Sequence, residues 1–122
     1  LQFKNNVLIE SNKNIVSKIN NQDFDLSIIV GTDPIAHLPF ELSRKLAKKP
    51  MILIDYTLSA TYFVTDVILP TAITGIEAEG TAFRLDNVPI RLTKFLEPPE
   101  NILTDEEILD KIFTKLDNNK EG

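Results

Sequence analysis

LSIIVGTDPIAHLPFELSRKLAKKPMILID, residues 26–55, decides the fold. It opens on LSIIV, a continuous apolar, β-branched run ending in glycine, which predicts a strand over residues 26–30 covered on both faces. After Pro39 the pattern becomes helical. Leu38, Leu42 and Leu46 recur every four residues, while Arg44, Lys45, Lys48 and Lys49 face outward near the C-terminal end, where cations complement the helix dipole. Pro50 stops that helix. MILI, residues 51–54, is a second buried strand ending at Asp55. Residues 59–65 are a short connection with room for one helical turn, and VIL, residues 67–69, is a third short strand ending at Pro70. Strand, helix, strand, turn, strand is a βαβ arrangement, so the expectation is an α/β fold: a small parallel sheet with a right-handed crossover and flanking helices, Rossmann-like in three layers.

On the N-terminal side, residues 1–13 are polar with an apolar island at Val7, Leu8 and Ile9, read as a loop or edge strand. Residues 14–20 have the spacing of two helical turns, with Ile15, Val16 and Ile19 on one side. On the C-terminal side the pattern changes after residue 75. TAFRLDNVPIRLTKF predicts a β-hairpin around Asp86 and Asn87, both residues that tolerate positive φ. EPPEN, residues 97–101, is a rigid linker. Thr104 to Glu107 form a capping box, and Ile108, Leu109, Ile112, Phe113 and Leu116 make one apolar stripe on a closing helix expected to pack on the domain. DNNKEG is a frayed tail.

The 122 residues suffice for a single domain, 1–122, with one core, and 25% charged with 43% apolar residues is ordinary for a soluble globular protein. A net charge of −5 argues against nucleic-acid binding. The longest apolar run is far short of the ~20 residues of a membrane span, and no secretory signal pattern is present, so a cytoplasmic protein is expected. The absence of cysteine excludes disulfides, thiolate metal ligands and cysteine nucleophiles from this stretch. His37 is the only histidine, so a His cluster cannot hold a metal here, and any metal or redox centre draws its ligands from elsewhere.

In an open parallel sheet, ligands bind beyond the carboxyl ends of the strands. Three ends carry polar groups: Gly31-Thr32-Asp33, Asp55 and Thr71. Gly31 allows a sharp turn or a close approach. Amides before the following helix favour an anion such as a phosphate, and Asp33 and Asp55 suit the donor edge of a guanine-like base or ribose hydroxyls. Against this stands the simpler reading of Gly-x-Asp-Pro as a turn whose Asp caps the next helix, which on pattern alone outweighs a ligand. His37 reads first as a surface residue near a helix start. Glu77 and Glu79 have the look of an acid/base pair, but nothing nearby supplies a nucleophile or a metal; Glu79-Gly80-Thr81 reads as the opening of the hairpin. Arg84, Arg91 and Lys94 read as its solvated face.

VGTDP (30–34), ILID (52–55), TDVILP (65–70) and EAEGTAFRLDNVPIRL (77–92), in this order and spacing, resemble the molybdopterin-dependent oxidoreductases over residues 25–96. GTDPIAHLP, EGTAFRLDNVPIRL and TDEEILDKIFTKL look most like the formylmethanofuran dehydrogenase B subunits of methanogenic archaea, and the last segment suggests a natural C-terminus. Thr65 stands where the wider family has alanine, and Arg-Leu-Asp-Asn-Val-Pro-Ile-Arg replaces its usual Asn-x-Glu-Gly-Arg. The resemblance implies a fragment of a longer catalytic subunit that carries a tungsten or molybdenum bis(molybdopterin guanine dinucleotide) and a [4Fe–4S] cluster, and that works in methanogenesis with the other subunits of its complex. It implies that Gly31, Thr32, Asp33 and His37 line the dinucleotide site, with Asp55 and Thr61 as companions. It also implies that Asp66 and Pro70 are structural, Asp66 tying a loop down, and that Glu79, Gly80 and Thr81 match a later motif. No catalytic residue or metal ligand is expected in this piece, which alone is expected to be inactive and prone to self-association through exposed apolar areas. The rival is a stand-alone, non-enzymatic α/β nucleotide-binding or subunit-docking module.

Overall fold

The computed structural model describes residues 2–4, 7–9 and 15–118. The strands are β1 (Gln2–Lys4), β2 (Val7–Ile9), β3 (Ser27–Val30), β4 (Met51–Asp55), β5 (Val67–Pro70), β6 (Gly80–Phe83) and β7 (Pro89–Leu92). The helices are α1 (Ile15–Asn21), α2 (Pro34–His37), α3 (Phe40–Leu46) and α4 (Asp105–Asn118), with a 3-10 turn at Thr61–Val64. β3, β4 and β5 form a three-stranded parallel sheet with β4 in the middle, while β1 pairs with β2 and β6 with β7 in antiparallel ribbons. This is the α/β architecture read from the sequence. The apolar island at Val7 is one strand of the β1–β2 ribbon; the end of the expected tail, residues 119–122, lies outside the described residues. Among the described residues no helix is long and apolar enough to cross a membrane.

The chain forms two compact units, residues 1–53 with 59–67, and residues 54–58 with 68–122. In the first unit the core gathers Ile19 of α1, Leu46 of α3 and Met51 of β4, with Phe24, Ile29, Leu38 and Leu42 packed against them. The four-residue spacing of Leu38, Leu42 and Leu46 therefore does face inward, but two helices replace the expected one. Pro39 has extended dihedrals and starts α3, and α3 ends at Leu46, followed by i→i−3 hydrogen bonds from Lys48 and Lys49. β3 is half-buried along its whole length, so it is not enclosed on both faces as its composition suggests, and Val67 and Ile68 of β5 are exposed. Asp66 accepts from the Met51 amide at 2.8 Å and its own amide donates back to the Met51 carbonyl at 3.1 Å, the tie expected of it.

In the second unit Ile54, Ala72, Ala78 and Ile108 are buried. The capping box forms in both directions: the Glu107 amide donates to Thr104 Oγ1 at 3.2 Å, and the Thr104 amide to Glu107 Oε2 at 2.8 Å. The stripe behind it is covered only at its start. Ile108 is buried, whereas Phe113 and Leu116 are 54% and 52% exposed. The hairpin turns at Asn87, whose φ is 61°; of the two tolerant residues only Asn87 takes the left-handed conformation. Gly80 begins β6 at a close approach, since a Cβ there would lie 2.6 Å from Thr74 Cγ2. Threonine is short and stiff at χ1, so backbone has to move. Gly80→Ala is therefore expected to destabilise the chain by about 1–3 kcal/mol, read by urea unfolding; an unchanged midpoint would show that the contact relaxes freely.

Candidate functional site

The β3 strand ends in Gly31, which adopts φ +56° with no atom within 4 Å of where its Cβ would stand. Glycine is needed there for the left-handed turn rather than for a tight approach by the chain itself. Thr32 follows, exposed, and then Asp33, whose side chain caps α2 through the Ala36 amide at 3.2 Å. Pro34 at the first helical position suits this start.

The cap is only part of what Asp33 does. Its Oδ1 also accepts from the Thr61 hydroxyl at 2.6 Å and the Thr61 amide at 3.1 Å, and its Oδ2 from the Ala60 amide at 2.9 Å. Thr61 is 0% exposed. Its hydroxyl donates a hydrogen bond to Asp33 and accepts one from the Ile35 amide at 3.3 Å. Asp33 and Thr61 are thus brought together from segments far apart in sequence, and the amides of Ala36, Ala60 and Thr61 hold the chain's own carboxylate. The Thr61 hydroxyl is the largest influence drawing the Asp33 carboxyl down from 3.8 to about 2, opposed by desolvation and helped by the amides of Ala60, Ala36 and Thr61.

His37 closes α2; its amide donates to the Asp33 carbonyl at 3.1 Å and its side chain is exposed. Thr32 and His37 also line a mostly apolar groove of about 460 Å³ together with Ile19, Ile29, Leu38 and Leu46. Buried Ser43 of α3 places its hydroxyl 3.2 Å from the Leu38 carbonyl and 3.3 Å from that of Ile35, steadying the C-terminal end of α2. Sequence reading missed this contact; a lone serine among apolar helix positions was its one signal.

Asp55 belongs to the second unit. It is 7% exposed, and its Oδ1 accepts from the Thr57 amide at 3.1 Å in an Asx-type turn. Thr71, the third polar strand end, is buried, with its hydroxyl 2.5 Å from Asp105 Oδ1 and 3.1 Å from the Leu103 carbonyl. Asp105, read only as part of the Thr104–Glu107 capping segment, therefore accepts a hydrogen bond from far along the chain, another contact that local pattern did not reveal. Glu77 accepts from the Ile73 amide at 3.0 Å and Glu79 pairs with Arg91 at 3.5 Å, so the two do not act as an acid/base couple. Arg84 pairs with Asp86 and Lys94 with Glu97 on the hairpin side. Among the described residues no group of three or more His, Asp or Glu is placed to hold a metal ion.

Over 92 residues, 75% of its length, the chain is 41% identical to the B subunit of tungsten-containing formylmethanofuran dehydrogenase 2 from Methanocaldococcus jannaschii. Over 98 residues, 80% of its length, it is 40% identical to the protein of the same name from Methanococcus maripaludis. These matches cover 21% and 23% of the two proteins, so the chain spans about a fifth of the length of the curated relatives it matches. No protein-family profile matches it. The chain is homologous to a segment of the formylmethanofuran dehydrogenase B subunit.

A carboxylate whose folded-state pKa lies below its unfolded value adds stability above the unfolded value and loses it as pH falls through the folded one. Asp33→Ala is accordingly expected to destabilise the protein most above pH 4, with the difference from the unsubstituted chain closing between 3.8 and about 2. Thermal unfolding at a series of pH values reads this out; a difference independent of pH would show that the charge is not what matters.

Proposed function

We propose that this chain, homologous to a segment of the formylmethanofuran dehydrogenase B subunit, forms part of the wall that holds the dinucleotide of a molybdopterin cofactor in that catalytic subunit. The observation that carries the reading is 40–41% identity, over three quarters or more of the chain, to two proteins named as tungsten-containing enzymes. The Gly31 corner fits such a group. Open space lies beside Gly31, and the exposed hydroxyl of Thr32 and imidazole of His37 follow it with polar atoms for a sugar or phosphate. Asp33 and Thr61 stand behind that corner. Asp55, in the second unit, enters the proposal on the resemblance alone.

When bound in the whole subunit, the cofactor supplies the redox chemistry at tungsten or molybdenum that interconverts carbon dioxide and formate for attachment to methanofuran. The residues of this chain bind and orient. The metal ligand and the [4Fe–4S] cluster come from other parts of the polypeptide, and the other subunits of a cytoplasmic complex are the partners.

Acid hydrolysis of the full-length subunit, purified in its complex, is expected to release guanosine monophosphate, and Thr32→Ala with His37→Ala to lower the nucleotide content several-fold. A full-length subunit that yields no guanine nucleotide overturns the reading. The 122-residue chain alone is expected to give no formate-dependent reduction of a viologen dye; turnover by it would place the redox centre inside this segment.

A further inference from the structure

We infer that Asp33 and Thr61 work as one positioning clamp, the carboxylate locking the 59–61 segment onto the 31–36 turn so that Thr32 and His37 face a ligand that neither clamp residue touches. The inference takes its ligand from the function proposed above, but its geometry stands independently. Oδ1 of Asp33 receives three donors and Oδ2 a fourth, which leaves at most one acceptor direction on a carboxylate with about four. Thr61 is completely enclosed, and its hydroxyl both donates and accepts within the chain. A buried hydroxyl so engaged has no ligand to meet; what it does is aim the carboxylate.

The consequences run outward along the main chain. The Asp33 carbonyl receives the His37 amide, so the direction of the imidazole depends on where Asp33 is held. Thr32 sits between the left-handed Gly31 and the clamped Asp33, and has little freedom of its own. Thr65 extends the brace by donating its hydroxyl to the Thr61 carbonyl at 2.7 Å. A residue that acts this way is felt at the ligand through displacement, and its loss and its partner's loss amount to the same event.

The test uses the full-length subunit in its complex. Asp33→Ala, Thr61→Val and the double variant form a cycle, Thr61→Ser is the conservative replacement, and Asp66→Asn removes the charge from a carboxylate–amide tie at the start of β4. The single variants are expected to lower retained guanine nucleotide on the order of 10-fold, as losing an outer support does elsewhere, and the double variant to lower it no further. Thr61→Ser should retain it, and Asp66→Asn should lower the unfolding temperature without lowering retention. Hydrogen exchange at the Ala36, Ala60 and Thr61 amides should quicken in Asp33→Ala. Additive losses around the cycle, or loss in Asp33→Ala with none in Thr61→Val, would make Asp33 a ligand contact and overturn the clamp. Unchanged exchange at the three amides would overturn it as well. An unsubstituted subunit without guanine nucleotide, but with the exchange response, would sink the proposed function and leave the clamp supported.

Discussion

The carboxylate of Asp33, with the four donors around it, fixes where the chain goes after two of its strands. α2 is four residues long, and an isolated helix below roughly 12 residues is marginal in water. It exists because its first turn is held by Asp33 and its last carbonyls by Ser43. The 3-10 turn at Thr61 is held from the same carboxylate. Hydrogen bonds to an ionised acceptor contribute about 1.5–3 kcal/mol, against about 1 for neutral pairs, so several converging on one group outweigh what these short segments supply by propensity. An aspartate suits the place because its short side chain reaches its own helix start and the neighbouring loop at once, and because ionisation gives it acceptors only.

The same device recurs through the chain. Asp66 fastens the start of β4, Glu77 the turn before β6, Glu107 the start of α4, and Asp105 receives the Thr71 hydroxyl. In a chain of net charge −5 these carboxylates serve as acceptors for the chain's own amides and hydroxyls, Asp66 and Glu107 while exposed to solvent. The opposite-charge pairs are of another kind. Arg44–Glu41, Arg84–Asp86 and Arg91–Glu79 are mostly exposed, and such pairs contribute roughly 0–1 kcal/mol. Order at the strand ends thus comes from carboxylates on amides and hydroxyls, while the salt bridges decorate the surface.

This division explains what could be read from the sequence. LSIIV, MILID, the capping box and the Asp86–Asn87 hairpin were legible because each is a local signal: an apolar run, a side chain three residues from its amide, a residue that tolerates positive φ. Asp33 was legible as a cap for the same reason, its partner Ala36 lying three residues on. Its other partners, Ala60 and Thr61, lie 27 and 28 residues away, and no pattern connects them. Thr71 and Asp105, 34 residues apart, are alike in this. Burial was legible only as demand. The composition of β3 and the stripe of α4 report faces that avoid water, yet β3 is half-buried and Phe113 and Leu116 are exposed, since periodicity says nothing of what is present to cover a face.

The choice between a turn and a ligand site at Gly-Thr-Asp-Pro is not a choice between exclusive roles. A turn held by four hydrogen bonds on one carboxylate is what a binding corner requires, because a ligand group is recognised by where its partners sit and loses affinity when they wander. The residue whose chemistry looks most suited to a base, the aspartate, is engaged with the chain, while the exposed groups beside it are a hydroxyl and an imidazole on a backbone given no latitude. Under the proposed function, recognition at this corner depends on position more than on charge, and the carboxylate that fixes the position is taken up by hydrogen bonds to its own chain.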